Sequence, residues 1–405
     1  MEIRHDPLRQ LNYLQQSFSH DKKPLGIFIG AGCPKAIPSS DDKGAEPLIP
    51  DIEGMTVAVR EAVTAVSKLS DAFKTLEEHF VQDNREDPNV EDFLSHIRAL
   101  RSVVGNDLVR GLTAEQLDNL DDEICSVIHD LVNKTLPSNT TAYHQIAGWI
   151  AGTLRDSPIE VFTPNYDLLM EQAFEDSRVP YFDGFAGARR PLFDLRAMEE
   201  DELPPRWARY WKIHGSINWY LHPTKGVYRG RATEEGAKRV IHPSHLKYDE
   251  SRRMPYLAMM DRLRSFLKQP YSVIALCGYS FRDEHINETL IQGLQSNPTA
   301  MAFGLLYGSL DKYPTAISLV AVQSNLSLLA RDGAIIGGQQ GLWIESERET
   351  QPSKDSQWIE WVESDGEDST LLRAELKLGD FGVFGDFFGQ LIGQSLDHED
   401  GPDAT

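Results

Sequence analysis

Apolar positions along the chain fall into two patterns. The first is a set of short runs that are apolar on both faces. Leu25–Ile29 ("LGIFI") and "VIALC" within 271–281 are of this kind, and "IEVFTPNYD" (159–167) resumes the sheet. Such runs predict buried parallel strands covered by helices. "YWKIHGSINWY" (210–220) is aromatic and β-branched and predicts a strand followed by a turn, and "AISLVAV" (316–322) and "GLWI" (341–344) predict two more strands. The second pattern is apolar spacing of three and four. It predicts helices over 7–19, 56–82, 89–104, 113–135, 140–155, 168–175 and 284–295. Thr113 and Gln116 stand at capping-box spacing before the third stretch of the long helical region.

Strands alternating with helices predict an α/β fold: a Rossmann-like parallel sheet flanked by helices. The stretch 55–157 shows helical spacing throughout and predicts an inserted helical module. The domain expectation is therefore a sheet domain over 1–54 and 158–345, the helical module over 55–157, and an acidic C-terminal extension over 346–405. The phenylalanines of 381–388 in that extension fit either an assembly contact or a terminal core helix.

Composition narrows the function. The chain of 405 residues has a formal net charge of −22, which repels a phosphate backbone and argues against direct nucleic-acid binding. Three cysteines, Cys33, Cys125 and Cys277, stand far outside C-x-x-C spacing, so neither a paired-cysteine zinc site nor a disulfide framework is expected. His242 and His245 lack a carboxylate or cysteine at ligand spacing, and no metal is expected. No apolar run reaches membrane-spanning length, and the N-terminus lacks a signal-type apolar core; the expectation is a cytoplasmic protein without membrane contact.

Four predicted strands end in polar or glycine-containing loops, the position where open parallel sheets bind ligands. These are Gly30-Ala31-Gly32, Thr163-Pro164-Asn165-Tyr166-Asp167, His214-Gly215-Ser216 and Gly278-Tyr279-Ser280-Phe281-Arg282-Asp283. Glycines let a backbone approach a pyrophosphate and expose N–H groups to it. Lys35 occupies the third glycine position of a G-x-G-x-x-G loop, so the loop departs from the hydride-transfer pattern. Cys33 reads as a small buried filler. Asn165 is either a ribose- or water-binding amide or a turn residue. Asp167 reads as a helix cap. His214 is either a general base or a structural histidine. Ser280 can donate to phosphate, and Asp283 either accepts from ribose or caps the following helix.

"GAGCPKAIP", "FTPNYDLL", "IHGSINW" and "GYSFRDEHI", in this order, resemble the sirtuin family, most closely the sirtuin-like domains of bacterial anti-phage defence proteins; "PLIPDIEGM" and "NVEDFLSHI" resemble that branch too. The resemblance spans roughly 24–295. It implies NAD+ as substrate, with Asn165 and His214 catalytic. It implies nucleotide contacts from Gly30, Ala31, Gly32, Cys33, Thr163, Asp167, Gly278, Ser280 and Asp283. Protein-deacylating sirtuins carry two C-x-x-C pairs that this chain lacks, and the stretch after the first loop is reduced to Ile37-Pro38. The resemblance therefore implies an NAD+ glycohydrolase rather than a deacylase or ADP-ribosyltransferase. An NAD- or ADP-ribose-sensing scaffold is the alternative that is not an enzyme. It further implies a homo-oligomer and a HerA-type hexameric ATPase as partner. There is no P-loop in the chain itself.

Overall fold

The computed structural model describes residues 3–19, 22–40, 46–85, 87–230, 237–241, 255–347, 357–363 and 371–392. His242, His245 and the stretches 348–356, 364–370 and 393–405 of the C-terminal extension lie outside the described residues.

The chain opens with β1 (Arg4–His5), α1 (Pro7–Ser19) and β2 (Leu25–Ile29), then a single helical turn, α2 (Gly32–Lys35). Four helices follow: α3 (Ile52–Ala65), α4 (Ser67–Gln82), α5 (Val90–Val103) and α6 (Ala114–Val132). The next elements are α7 (Ala142–Gly152), β3 (Ile159–Thr163) and α8 (Leu169–Asp176). Short strands β4 (Tyr181–Phe182), β5 (Phe185–Ala186) and β6 (Leu192–Phe193) precede α9 (Leu195–Glu200). Then come β7 (Ala208–Lys212), β8 (Gly215–His222), β9 (Gly226–Arg229), β10 (Lys238–Ile241), α10 (Pro255–Lys268), β11 (Val273–Cys277) and α11 (Glu284–Ser296). The last part holds β12 (Met301–Leu305), α12 (Pro314–Val320), β13 (Leu326–Leu329), β14 (Gly333–Ile336), β15 (Gln339–Trp343), β16 (Glu345–Glu347), β17 (Ile359–Glu363), β18 (Leu371–Leu376) and α13 (Phe381–Leu391).

Ten strands form one sheet in the order β1-β15-β14-β13-β12-β11-β2-β3-β7-β4. From β13 to β4 every neighbouring pair is parallel. β2, β3, β7 and β11 are buried along their whole length, because helices cover both faces. The chain builds outward from β2 through β3 to β7, then returns to place β11 on the other side of β2. That reversal creates a crevice at the carboxyl ends of β2, β3 and β11. A five-stranded sheet, β10-β8-β9-β6-β5, and a three-stranded one, β16-β18-β17, flank the main sheet.

Helices α3 to α6 pack on one another through Phe73, Leu76, Phe93, Ile97, Leu117 and Ile124. Val66, in an extended conformation, separates α3 from α4 where the spacing alone suggested one continuous helix. Thr113 and Gln116 make the reciprocal bonds of a capping box at α6. α7 packs on α8 and α13.

Two expectations fail or resolve here. "AISLVAV" is not a strand: Pro314 begins α12, with Ala316 and Val320 buried one turn apart. The strand lies further on, at β13. The phenylalanine segment is a core helix. Phe388 meets Phe18 at 5.3 Å and Trp149 at 4.5 Å between ring centres. Gly385 permits this approach, since a Cβ there would lie 2.6 Å from the Ala142 Cα. Phe388→Ala should therefore cost about 3–5 kcal/mol of stability. Urea unfolding of the two proteins side by side measures it.

Candidate functional site

All four strand-end loops converge at the crevice. β2 hands over to Gly30, whose N–H donates to the Cys277 carbonyl (2.8 Å), and Gly32 N–H donates to the Gly278 carbonyl (2.9 Å). The first and fourth loops are thereby bonded to each other. Gly278 sits at φ +67°, where a side chain is strained. Its Cβ would also lie 2.7 Å from the Cys33 backbone N and Sγ. Cys33 is fully buried and its thiol donates to the Cys277 carbonyl; burial holds the thiol well above its ordinary value. It is a filler, and its titration is unsuited to a nucleophile.

From β3, buried Thr163 donates to the Ile29 carbonyl (2.7 Å) and accepts from Asn165 N–H (3.1 Å). Asn165 Nδ2 then donates to the Gly30 carbonyl at 3.1 Å. Asp167 is buried beside the start of α8, and its Oδ1 accepts from Leu169 N–H at 3.0 Å. Burial pushes its carboxyl up to about 6 against the opposing charge of Lys212. Lys212, wholly buried on β7, donates to the carbonyls of Tyr166 and Asp167 and to Glu171 Oε1 (3.0 Å). It pins the loop that carries Asn165.

His214 occupies the tight turn between β7 and β8, followed by Gly215 at φ +90°. The imidazole is buried, lies nearly parallel to the Tyr256 ring (14°), and Nε2 is 2.8 Å from Asp283 Oδ2. Of the two roles its position suggested, Asp283 takes the helix cap, and it adds a bond to His214 that the sequence did not suggest. Its Oδ1 caps α11 by accepting from Ile286 N–H (2.9 Å), while Oδ2 binds the histidine. Burial alone would raise the Asp283 carboxyl, yet the bond to His214, its charge and the helix N–H hold it down at about 2. An ionised carboxylate only accepts, so His214 Nε2 carries a proton and, in the neutral ring, Nδ1 carries the lone pair. Burial would lower the affinity of His214 for a second proton; the Asp283 bond and the charges of Glu91 and Asp283 outweigh it and raise it.

These loops form one side of a cavity of about 620 Å³; the other side is built by α3, the 87–91 turn and α5. Ala31, Asn165, Asp167, His214, Gly278, Ser280 and Asp283 line it. Gly30, Gly32, Cys33 and Thr163 do not. Gly30, Cys33 and Thr163 are buried and Gly32 is exposed, and the N–H groups of Gly30, Gly32 and Cys33 are bonded within the protein rather than offered to a phosphate. Two ion pairs join the walls at the rim, Lys35–Asp51 (2.5 Å) and Arg282–Glu53 (2.8 Å). Among the described residues, no group of histidine, cysteine and carboxylate side chains could hold a metal ion.

Residues 159–317 match the family model described as the SIR2-like domain. The matched stretch runs from β3 into α12 and contains Asn165, His214 and the 278–283 loop. No curated protein matches the chain. Among solved structures, the chain is similar to a Sir2 homologue in complex with NAD, with 12% identity and a TM-score of 0.40 over 81% of this chain and 90% of that one. It is also similar to a structure describing the mechanism and regulation of Sir2 enzymes, with 11% identity and a TM-score of 0.37 over 74% and 86% of the two chains.

Sequence reasoning missed Lys212, Tyr256 and Glu91. Lys212 left a signal, since a lysine inside an otherwise apolar, doubly buried strand must find partners. Glu91 and Tyr256 left none; each looks like an ordinary helical residue.

The Asp283–His214 pair makes a signed prediction. The depressed carboxyl stabilises the fold above its ordinary 3.8, and the raised imidazole stabilises it below its ordinary 6.5. Wild type should exceed Asp283→Asn in stability most between about pH 4 and 6.5, and the gap should close as pH rises through the raised histidine value. Asp283→Ala, which also loses the cap, should be about 1 kcal/mol less stable than Asp283→Asn. Urea titrations across pH check both.

Proposed function

We propose that the chain hydrolyses NAD+ at the bond between nicotinamide and ribose, releasing nicotinamide and ADP-ribose. The observation that carries this reading is His214, fixed by Asp283, facing the same cavity as Asn165 at the strand ends of a SIR2-like domain.

The chemistry asks little of the protein beyond placement. The C1′–N bond breaks with its electron pair moving onto the pyridinium nitrogen, which leaves neutral, so no general acid is needed. Positive charge gathers on the ribosyl carbon and ring oxygen as in glycoside cleavage. Water adds its oxygen to C1′, and its proton is taken up by the His214–Asp283 pair and passed to solvent. Asn165 orients the ribose or the water. The carboxylates of Glu91, Asp167 and Asp283 around this end of the cavity suit a cationic transition state. Ala31, Gly278 and Ser280 take the nucleotide's phosphates and adenosine side.

The wider reading rests on the resemblance to sirtuin-like defence proteins. It makes the chain the NAD-depleting effector of an anti-phage complex, a homo-oligomer held inactive until triggered, with a HerA-type hexameric ATPase as partner.

The test follows nicotinamide and ADP-ribose by chromatography, with and without that ATPase. Wild type is expected to release both products. His214→Ala and Asn165→Ala should each lose about 10²–10⁴-fold in turnover, the range of general-base help. A His214→Ala protein that hydrolyses NAD+ at the wild-type rate would overturn the assignment.

A further inference from the structure

Glu91 stands in the first turn of α5, on the wall of the cavity opposite the sheet. That turn is held from several sides. Asn89 Oδ1 accepts from Glu91 N–H (2.8 Å) and Asp92 N–H (3.2 Å), and Asp92 Oδ2 accepts from Asn89 N–H (3.0 Å). Thr56 Oγ1 accepts from Val90 N–H (3.0 Å), and Arg60 donates to the Pro88 carbonyl (3.2 Å). So placed, Glu91 Oε1 accepts from the hydroxyl of Tyr166 at 2.5 Å. Tyr166 is the buried neighbour of Asn165, and its carbonyl accepts from Ile217 N–H (3.1 Å) just beyond His214.

We propose that Glu91 is a positioning residue of the cleavage site: from the helical cluster it anchors the loop bearing Asn165 and sets the charge environment of His214. The inference rests on the NAD+-cleavage reading for its purpose, though not for its geometry. Asp283 at the start of α11 binds the His214 ring and Tyr256 from α10 lies parallel to it, while Glu91 from α5 and Tyr166 and Asp167 from the loop after β3 line the same cavity. Glu91 and Asp283 both favour the imidazolium, and burial opposes them. The helical cluster therefore contributes to the chemistry as well as to the shape of the cavity. Removing the Glu91 charge leaves Asp283 alone to hold the proton.

The experiment is a proton NMR titration of the His214 ring in the full chain, its resonance assigned by difference from His214→Gln. Glu91→Gln keeps an acceptor for the Tyr166 hydroxyl and removes the charge. The His214 midpoint should fall by about half a unit or more, the lower end of what a neighbouring charge does. Glu91→Asp, which keeps the charge, should restore most of the shift. The acid limb of kcat/KM for NAD+ should move down with the NMR midpoint in Glu91→Gln. An unmoved midpoint in Glu91→Gln overturns the inference. A chain that cleaves no NAD+ even with the ATPase added, but whose midpoint still moves, overturns the cleavage reading and leaves the Glu91–His214 coupling standing.

Discussion

The site depends on one close approach of backbone to backbone. Gly30 and Gly278, at the ends of neighbouring strands β2 and β11, touch so closely that a Cβ on Gly30 would lie 2.3 Å from the Gly278 carbonyl oxygen. Two N–H···O bonds close the contact. Everything chemical hangs from it. Asn165 takes its orientation from the Gly30 carbonyl, and the chain leaving Gly278 reaches Asp283 within five residues, where it caps α11 and fixes His214. These glycines serve loop against loop, and the N–H groups of Gly30 and Gly32 are spent inside the protein.

The cavity has two walls of different origin. The sheet side supplies Asn165, His214 and Asp283 on short loops between rigid, fully buried strands. The helical side supplies Glu91 on a turn fixed by a capping box. Burial makes each of these charges matter more than it would at the surface, where the rim pairs Lys35–Asp51 and Arg282–Glu53 contribute little. Burial opposes both charges, yet Asp283 stays ionised and the proton affinity of His214 rises, because each charge faces an opposite one.

Much of the central sheet could be read from the chain, because β2 and β11 are apolar on both faces and β2, β3 and β11 all end in polar or glycine-containing loops. The helical region was visible by its spacing and by the Thr113–Gln116 cap. "AISLVAV" misled because β-branched residues also fill helices whose buried positions fall at i and i+4, and Pro314 marks the start. The five-stranded side sheet was invisible: β5 and β6 have two residues each, too few to show a period. Within the site, Asn165, His214 and Asp283 were visible as polar residues at strand ends. The pairing of His214 with Asp283 was not, since 69 residues separate them and only the parallel sheet brings them together. Glu91 was hidden for the same reason, its role set by a partner, Tyr166, 75 residues away.

The central claim is that Asn165 and His214 flank the ribosyl carbon of NAD+ in this cavity. A crystal structure of the full chain with a non-cleavable carba-analogue of NAD+ tests it most directly. The account predicts the nicotinamide-bearing carbon within one water of both His214 and Asn165, with the phosphates beside Ala31 and Ser280. An analogue bound outside the cavity, or with its nicotinamide end turned away from His214, would contradict it.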